Sequence, residues 1–176
     1  MNMFKSVIMG EKVLQEAVGR QLKYITKLEM DADQYEGYLN SIADKIPKNL
    51  LKVYNEKYSE TEHNRFHDCF VRSIDFQGYG HNYVKASDTL SLIMVLGKEI
   101  EYSITFSMIE NLSIEKCEGT FGYLFSSDGF FGEIQYCALG INDTNGCVVF
   151  EFITTTDMYF CIEFGKVKIK KRIMKR

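Results

Sequence analysis

The chain has 176 residues and a mass of 20.4 kDa, with 45% apolar and 26% charged side chains. That composition excludes disordered, collagen-like and low-complexity polymers and suffices for one buried core. The net charge of −3 conceals three regimes: residues 1–60 carry nine basic and nine acidic groups, residues 61–165 five and fifteen, and residues 166–176 seven and none. The chain thus runs from neutral through acidic to basic.

In chain order, the first sixty residues read as helices. Val18, Leu22, Ile25 and Leu28 keep three-to-four spacing on a segment from about Glu11 to Met30. Asp31 or Asp33 stands in the capping-box relation to Gln34 or Glu36, opening a helix with Tyr35, Tyr38, Leu39, Ile42, Ala43 and Ile46 on one face. Pro47 suits the first turn of a third helix, whose buried stripe is Leu50, Leu51, Tyr54 and Tyr58.

After about His63 the period changes from 3.6 to 2. Phe66 to Phe76 has apolar residues of both parities, so it is either buried on both faces or bulged. Leu90, Leu92, Met94 and Leu96 form one alternating strand; Tyr102, Ile104, Phe106 and Met108 form another, with the same parity resuming at Leu112 and Ile114. Gly119, Gly122, Gly129 and Gly132 mark turns or bulges. Ile134, Tyr136 and Ala138 begin a strand that exits through the turn signal Asn145-Gly146. Val148 to Thr154 then forms a hairpin with Met158, Phe160, Ile162 and Phe164, and Val167 and Ile169 alternate with Lys166, Lys168 and Lys170. Connections this short predict antiparallel pairing. The expectation is a single α+β domain over residues 1–176. Its helical part, about 9–60, packs on a C-terminal antiparallel sheet or β-sandwich of about seven strands, about 64–172.

Cys69, Cys117, Cys137, Cys147 and Cys161 are odd in number and form no C-x-x-C pair, which argues against a disulfide framework or thiolate zinc site. No signal-peptide pattern and no long apolar run occurs, so the expectation is a cytoplasmic protein with no membrane partner. No cofactor is expected.

Chemistry concentrates at His63-Asn64-Arg65-Phe66-His67-Asp68-Cys69. Imidazole, carboxylate and thiolate are zinc and iron ligands, so His63, His67, Asp68 and Cys69 make one candidate metal set. His67 and Asp68 make a candidate acid–base pair, because a carboxylate beside an imidazole orients it. The opposing reading is a strand entry in which these side chains satisfy open backbone groups and Cys69 is a small buried hydrophobe. Glu118, Asp128, Glu133 and Asp143 are candidate contacts for a partner with a basic surface. The basic strand Lys166, Lys168, Lys170, Lys171 and Arg172 suits either phosphate neutralisation or protection of an exposed sheet edge. The acidic body and the lack of an aromatic in the tail disfavour nucleic acid.

The segment Phe66-His67-Asp68-Cys69-Phe70-Val71-Arg72-Ser73-Ile74 resembles a strand of uncharacterised bacterial families classed as domains of unknown function. Small proteins of this general look occur among immunity proteins of bacterial toxin systems. The resemblance implies a bacterial cytosolic protein and supplies no catalytic residue. The reading reached from sequence is a non-catalytic protein-binding module, of immunity type, with a basic partner. The alternatives are a metal-dependent hydrolase or acid–base enzyme at His63, His67, Asp68 and Cys69, and nucleic-acid binding through the basic strand.

Overall fold

Alternation of β-branched or aromatic residues with small polar ones favours pleated strands buried on one face, and the computed structural model shows six of them. Residues 32–56, 66–78, 88–97, 99–116, 131–156 and 158–174 are described. The strands are β1 (Cys69–Gln77), β2 (Thr89–Leu96), β3 (Ile100–Lys116), β4 (Ile134–Ile141), β5 (Val148–Thr154) and β6 (Met158–Ile173). They form one antiparallel sheet in the order β1-β2-β3-β6-β5-β4. The described helices are α1 (Ala32–Ser41) and α2 (Lys48–Tyr54), of ten and seven residues.

This overturns the expected α+β arrangement of helices packed on a seven-stranded sheet or sandwich. The frame is a single open sheet, and the two short helices with the turn between them fill one corner of its core, the helices with Leu39, Leu50 and Tyr54 and the turn with Ile42 and Ile46. Among the described residues, segments read separately are continuous: β3 runs through both 102–108 and 112–114, and β6 through both 158–164 and 166–170. The helix expected over 11–30 and the glycine turns at 119, 122 and 129 lie outside the described residues.

The core is aromatic. Phe66, Tyr102, Phe106, Phe150, Phe152, Phe160 and Phe164 are all fully buried. Phe152 and Phe160, directly opposite across β5 and β6, stack with centroids 4.4 Å apart, and Phe106 meets Phe164 edge-on at 4.7 Å. Beyond this core the sheet is also buried on its other face at the β5–β6 ribbon, where Val149, Glu151, Ile153, Tyr159 and Cys161 lie. There the Tyr159 hydroxyl donates to Glu151 Oε1 at 2.6 Å, and burial, then the Glu151 charge, pushes the phenol pKa up.

Three irregularities re-aim side chains. A register shift between Val71 and Ser73 is a bulge, one of the two arrangements the mixed parity of β1 allowed. A second, between Ile134 and Tyr136, turns Cys137, Leu139 and Ile141 inward where the alternation had placed Tyr136 and Ala138. The third lies at Met108, which takes φ of 54° opposite Gly165; Ile109 is buried and Met108 is exposed, the reverse of the expected parity, and Ile114 is exposed too. A Cβ on Gly165 would sit 3.1 Å from Met108 Cβ, so the kink depends on a glycine across the ladder.

The outermost strand β4 is sealed by tyrosines. The Tyr35 hydroxyl donates to Leu139 O (3.0 Å) and accepts from Leu139 N–H (2.8 Å); Tyr38 accepts from Ile141 N–H (3.1 Å); Tyr54 donates to Cys137 O (3.1 Å). Burial raises the phenol pKa of both Tyr35 and Tyr54. Where the β4–β5 turn begins, Glu163 accepts amide hydrogens from Asn142 (2.8 Å), Asn111 (3.3 Å) and Asn145 (3.5 Å). Gly146 closes that turn with φ of 73°, as the Asn145-Gly146 signal implied.

Candidate functional site

The chain enters β1 through a tight turn, Phe66-His67-Asp68-Cys69, closed by Cys69 N–H to Phe66 O at 3.2 Å. Asp68, its third residue, has φ of 66° and His67 does not share that sign, which is the type II pattern. Asp is among the few non-glycine residues that tolerate this conformation. The turn drives Phe66 and Cys69 into the core, both fully buried, and leaves His67 and Asp68 at its tip with side chains 27% and 47% exposed. His67 Nδ1 lies 2.7 Å from Asp68 Oδ1.

A long-range contact then brings Glu133 to this tip. Although β1 and β4 are opposite edges of the sheet order, they meet at one corner: Phe70 bridges Glu133, Val71 N–H donates to Gly132 O (3.0 Å), and Asp68 N–H donates to Ile134 O (3.1 Å). The β5–β6 turn holds Glu133 from behind, with Thr155 N–H donating to Glu133 O (2.8 Å) and Glu133 N–H to Thr155 Oγ1 (3.0 Å). Gly132 is required there, since it has φ of 78° and a Cβ would fall 2.6 Å from Thr155 Oγ1.

The result is an open cleft of about 230 Å³ lined by His67, Asp68, Glu133, Gln135, Tyr136 and Thr155. Desolvation, and secondly the charge of Asp68, raises the Glu133 pKa above its ordinary value. Two carboxylates therefore share one concavity with an imidazole, a setting in which a cation is favoured and a proton is retained longer than in water.

The sequence candidates separate as follows. His67 and Asp68 are together, and Glu133, assigned above to a partner surface, joins them. Cys69 points into the core, away from the cleft. His63, Glu118 and Asp128, like His81, lie outside the described residues. Among the described residues no three His, Cys, Asp or Glu side chains converge as a metal-holding group. Asp143 is exposed in the β4–β5 turn, at the opposite end of β4 from Glu133. Gln135, Tyr136 and Thr155 were missed; only the strand register places them at the cleft.

Lys166, Lys168, Lys170 and Arg172 form an exposed stripe on β6, opposite Ser107, Thr105, Ser103 and Glu101 of β3. Lys171 is on the other face, 2.9 Å from Glu56 Oε1 and 6.0 Å above the Tyr102 ring. Val167 and Ile169 pack against the core as the alternation implied. No described helix is long and apolar enough to cross a membrane.

No family model matches the chain, and no curated protein matches it.

Proposed function

We propose that this chain is a protein-binding module whose cleft at the β1–β4 corner receives a basic side chain of its partner. The observation that supports the reading is the placement of Asp68 and Glu133 in one cleft, where desolvation and then the Asp68 charge raise the Glu133 pKa. An inserted ammonium or guanidinium relieves that repulsion and forms charge-assisted hydrogen bonds. The cleft volume of about 230 Å³ suits one long side chain, being below the range of about 300–1,000 Å³ common for small-molecule sites. The acidic stretch over residues 61–165 adds longer-range attraction for a basic protein. An immunity-type role in a bacterial cytoplasm is the setting that fits such a module.

The test uses capped Gly-Lys-Gly, Gly-Arg-Gly and Gly-Glu-Gly peptides, with the Glu133 carboxyl followed by NMR. Because the native pKa is raised above 4.5, Glu133 contributes stability below that pH and loses it as pH rises through the native value. Cationic peptides should bind better as pH rises through the same window, and should lower the Glu133 pKa. Asp68→Asn should lower it too and weaken binding. A Glu133 titration indifferent to all three peptides contradicts the reading.

A second reading is favoured by the 2.7 Å contact of His67 with Asp68. In acid–base catalysis Asp68 orients His67 as the base, and Glu133, which keeps its proton longer, is the acid. Hydrolytic turnover lost in His67→Ala but retained in Glu163→Gln supports this second reading over the first.

A further inference from the structure

The sheet has a second flank that, unlike β4, meets a single side-chain hydrogen bond to its backbone among the described residues, from Asn49 to Val167 O. β5 pairs with β6 only over Tyr159–Phe164, whereas β3 continues alongside β6 to Ile173. From Lys166 onward, β6 therefore has one neighbouring strand among the described residues. Peptide groups in an antiparallel strand point to alternate sides. Met174 N–H donates to Glu99 O, so even-numbered residues here face β3; Val167 O accepts from Asn49 Nδ2 at 3.3 Å, so odd-numbered residues face outward. The N–H and C=O groups of Ile169, Lys171 and Ile173 thus line the flank with no described backbone partner. Exposure rises along this stretch, from the half-buried Ile169 to Ile173, which is 73% exposed.

We infer that this flank of β6 accepts an extended, acidic segment of another protein as an added strand. Backbone hydrogen bonds to Ile169, Lys171 and Ile173 supply affinity that does not depend on sequence. Selection comes from the stripe Lys166, Lys168, Lys170 and Arg172, which meets alternate side chains of the incoming strand on the outer face. On the inner face Ile173 offers an apolar contact. A second copy of this chain pairing through the same flank sets lysine against lysine, which is repulsive. Acidic residues alternating with apolar ones satisfy both faces. This surface is separate from the cleft and stands or falls independently of it.

The probe is an acetylated peptide alternating Glu with Val, compared with a version carrying Lys for Glu and one N-methylated on the residues that face β6. The Glu peptide should bind, shift the amide signals of Ile169, Lys171 and Ile173, and slow their hydrogen exchange. The N-methylated and Lys versions should each bind at least about tenfold more weakly. Lys168→Glu combined with Lys170→Glu should reverse the preference between the Glu and Lys peptides. These two side chains are exposed, so circular dichroism of the variant should be unchanged. The inference is overturned by absence of Glu-peptide binding, by equal binding of the N-methylated version, or by shifts at the β1–β4 cleft instead. It is also overturned by self-association through β6 in sedimentation, or by tighter binding of single-stranded oligo-dT to the lysine stripe than of the Glu peptide.

Discussion

Two flanks of the same sheet are treated differently. Along β4, hydroxyls of Tyr35, Tyr38 and Tyr54 satisfy the outward peptide groups of Cys137, Leu139 and Ile141. Along the second half of β6, Asn49 meets Val167 O and the outward groups that follow have no described backbone partner. Sheet edges attract other strands. The fold closes one edge with hydroxyls drawn from the two described helices and lines the other with exposed lysines. The helices matter less as a layer than as the source of those three hydroxyls.

The contrast breaks most strongly at the sealed flank. Tyr35→Phe combined with Tyr54→Phe removes the hydroxyl partners of Leu139 and Cys137, and each buried peptide group left unpaired costs about 1–3 kcal/mol. Three groups lose their partner, Leu139 N–H, Leu139 O and Cys137 O, so urea unfolding should show a loss of at least about 3 kcal/mol, whereas Asn49→Ala on the open flank should stay within about 0.5 kcal/mol. Next in size is Glu163→Ala at the turn leaving β4. It removes a carboxylate that is 7% exposed and accepts from the amides of Asn111, Asn142 and Asn145, and should cost about 2 kcal/mol, with Glu163→Gln recovering part of it.

A third substitution probes the point where β6 passes from buried to open. Gly165→Ala places a methyl 3.1 Å from Met108 Cβ and should cost about 1 kcal/mol by overpacking. In a Met108→Gly background that cost should vanish, since the clashing side chain and the φ of 54° are both relieved; a double-mutant cycle measures the coupling. The smallest effect is at the open end: Ile173→Ala, at a residue 73% exposed, should change stability by less than about 0.5 kcal/mol.

What was legible in the sequence follows the same division. Leu90 to Leu96 alternates without interruption and folds as the alternation implies. The mixed parity of Phe66 to Phe76 left burial on both faces or a bulge, of which the register shift selects the bulge, and Asn145-Gly146 announced its turn. The parity switch at Met108 was not legible, because a non-glycine residue at positive φ is stabilised by a glycine across the ladder and leaves no local pattern. Helix was over-weighted for a related reason. The tyrosine stripe of α1 resembles an ordinary buried face, yet Tyr35 and Tyr38 use their hydroxyls on a strand about a hundred positions away. His67 and Asp68 were visible as neighbours in the chain. Their meeting with Glu133 depends on two sheet edges touching at Phe70 and Glu133, a contact that periodicity and spacing do not encode.

The most direct measurement is residue-resolved amide hydrogen exchange along both flanks. The sealed flank should protect Leu139 and Ile141, whose N–H groups are held by Tyr35 and Tyr38. On β6, Lys168, Lys170 and Arg172 should exchange slowly through their bonds to β3, and Ile169, Lys171 and Ile173 between them should exchange fast. Uniform protection from Lys168 to Ile173, or fast exchange at Leu139 and Ile141, contradicts the division of the sheet into one closed and one open flank.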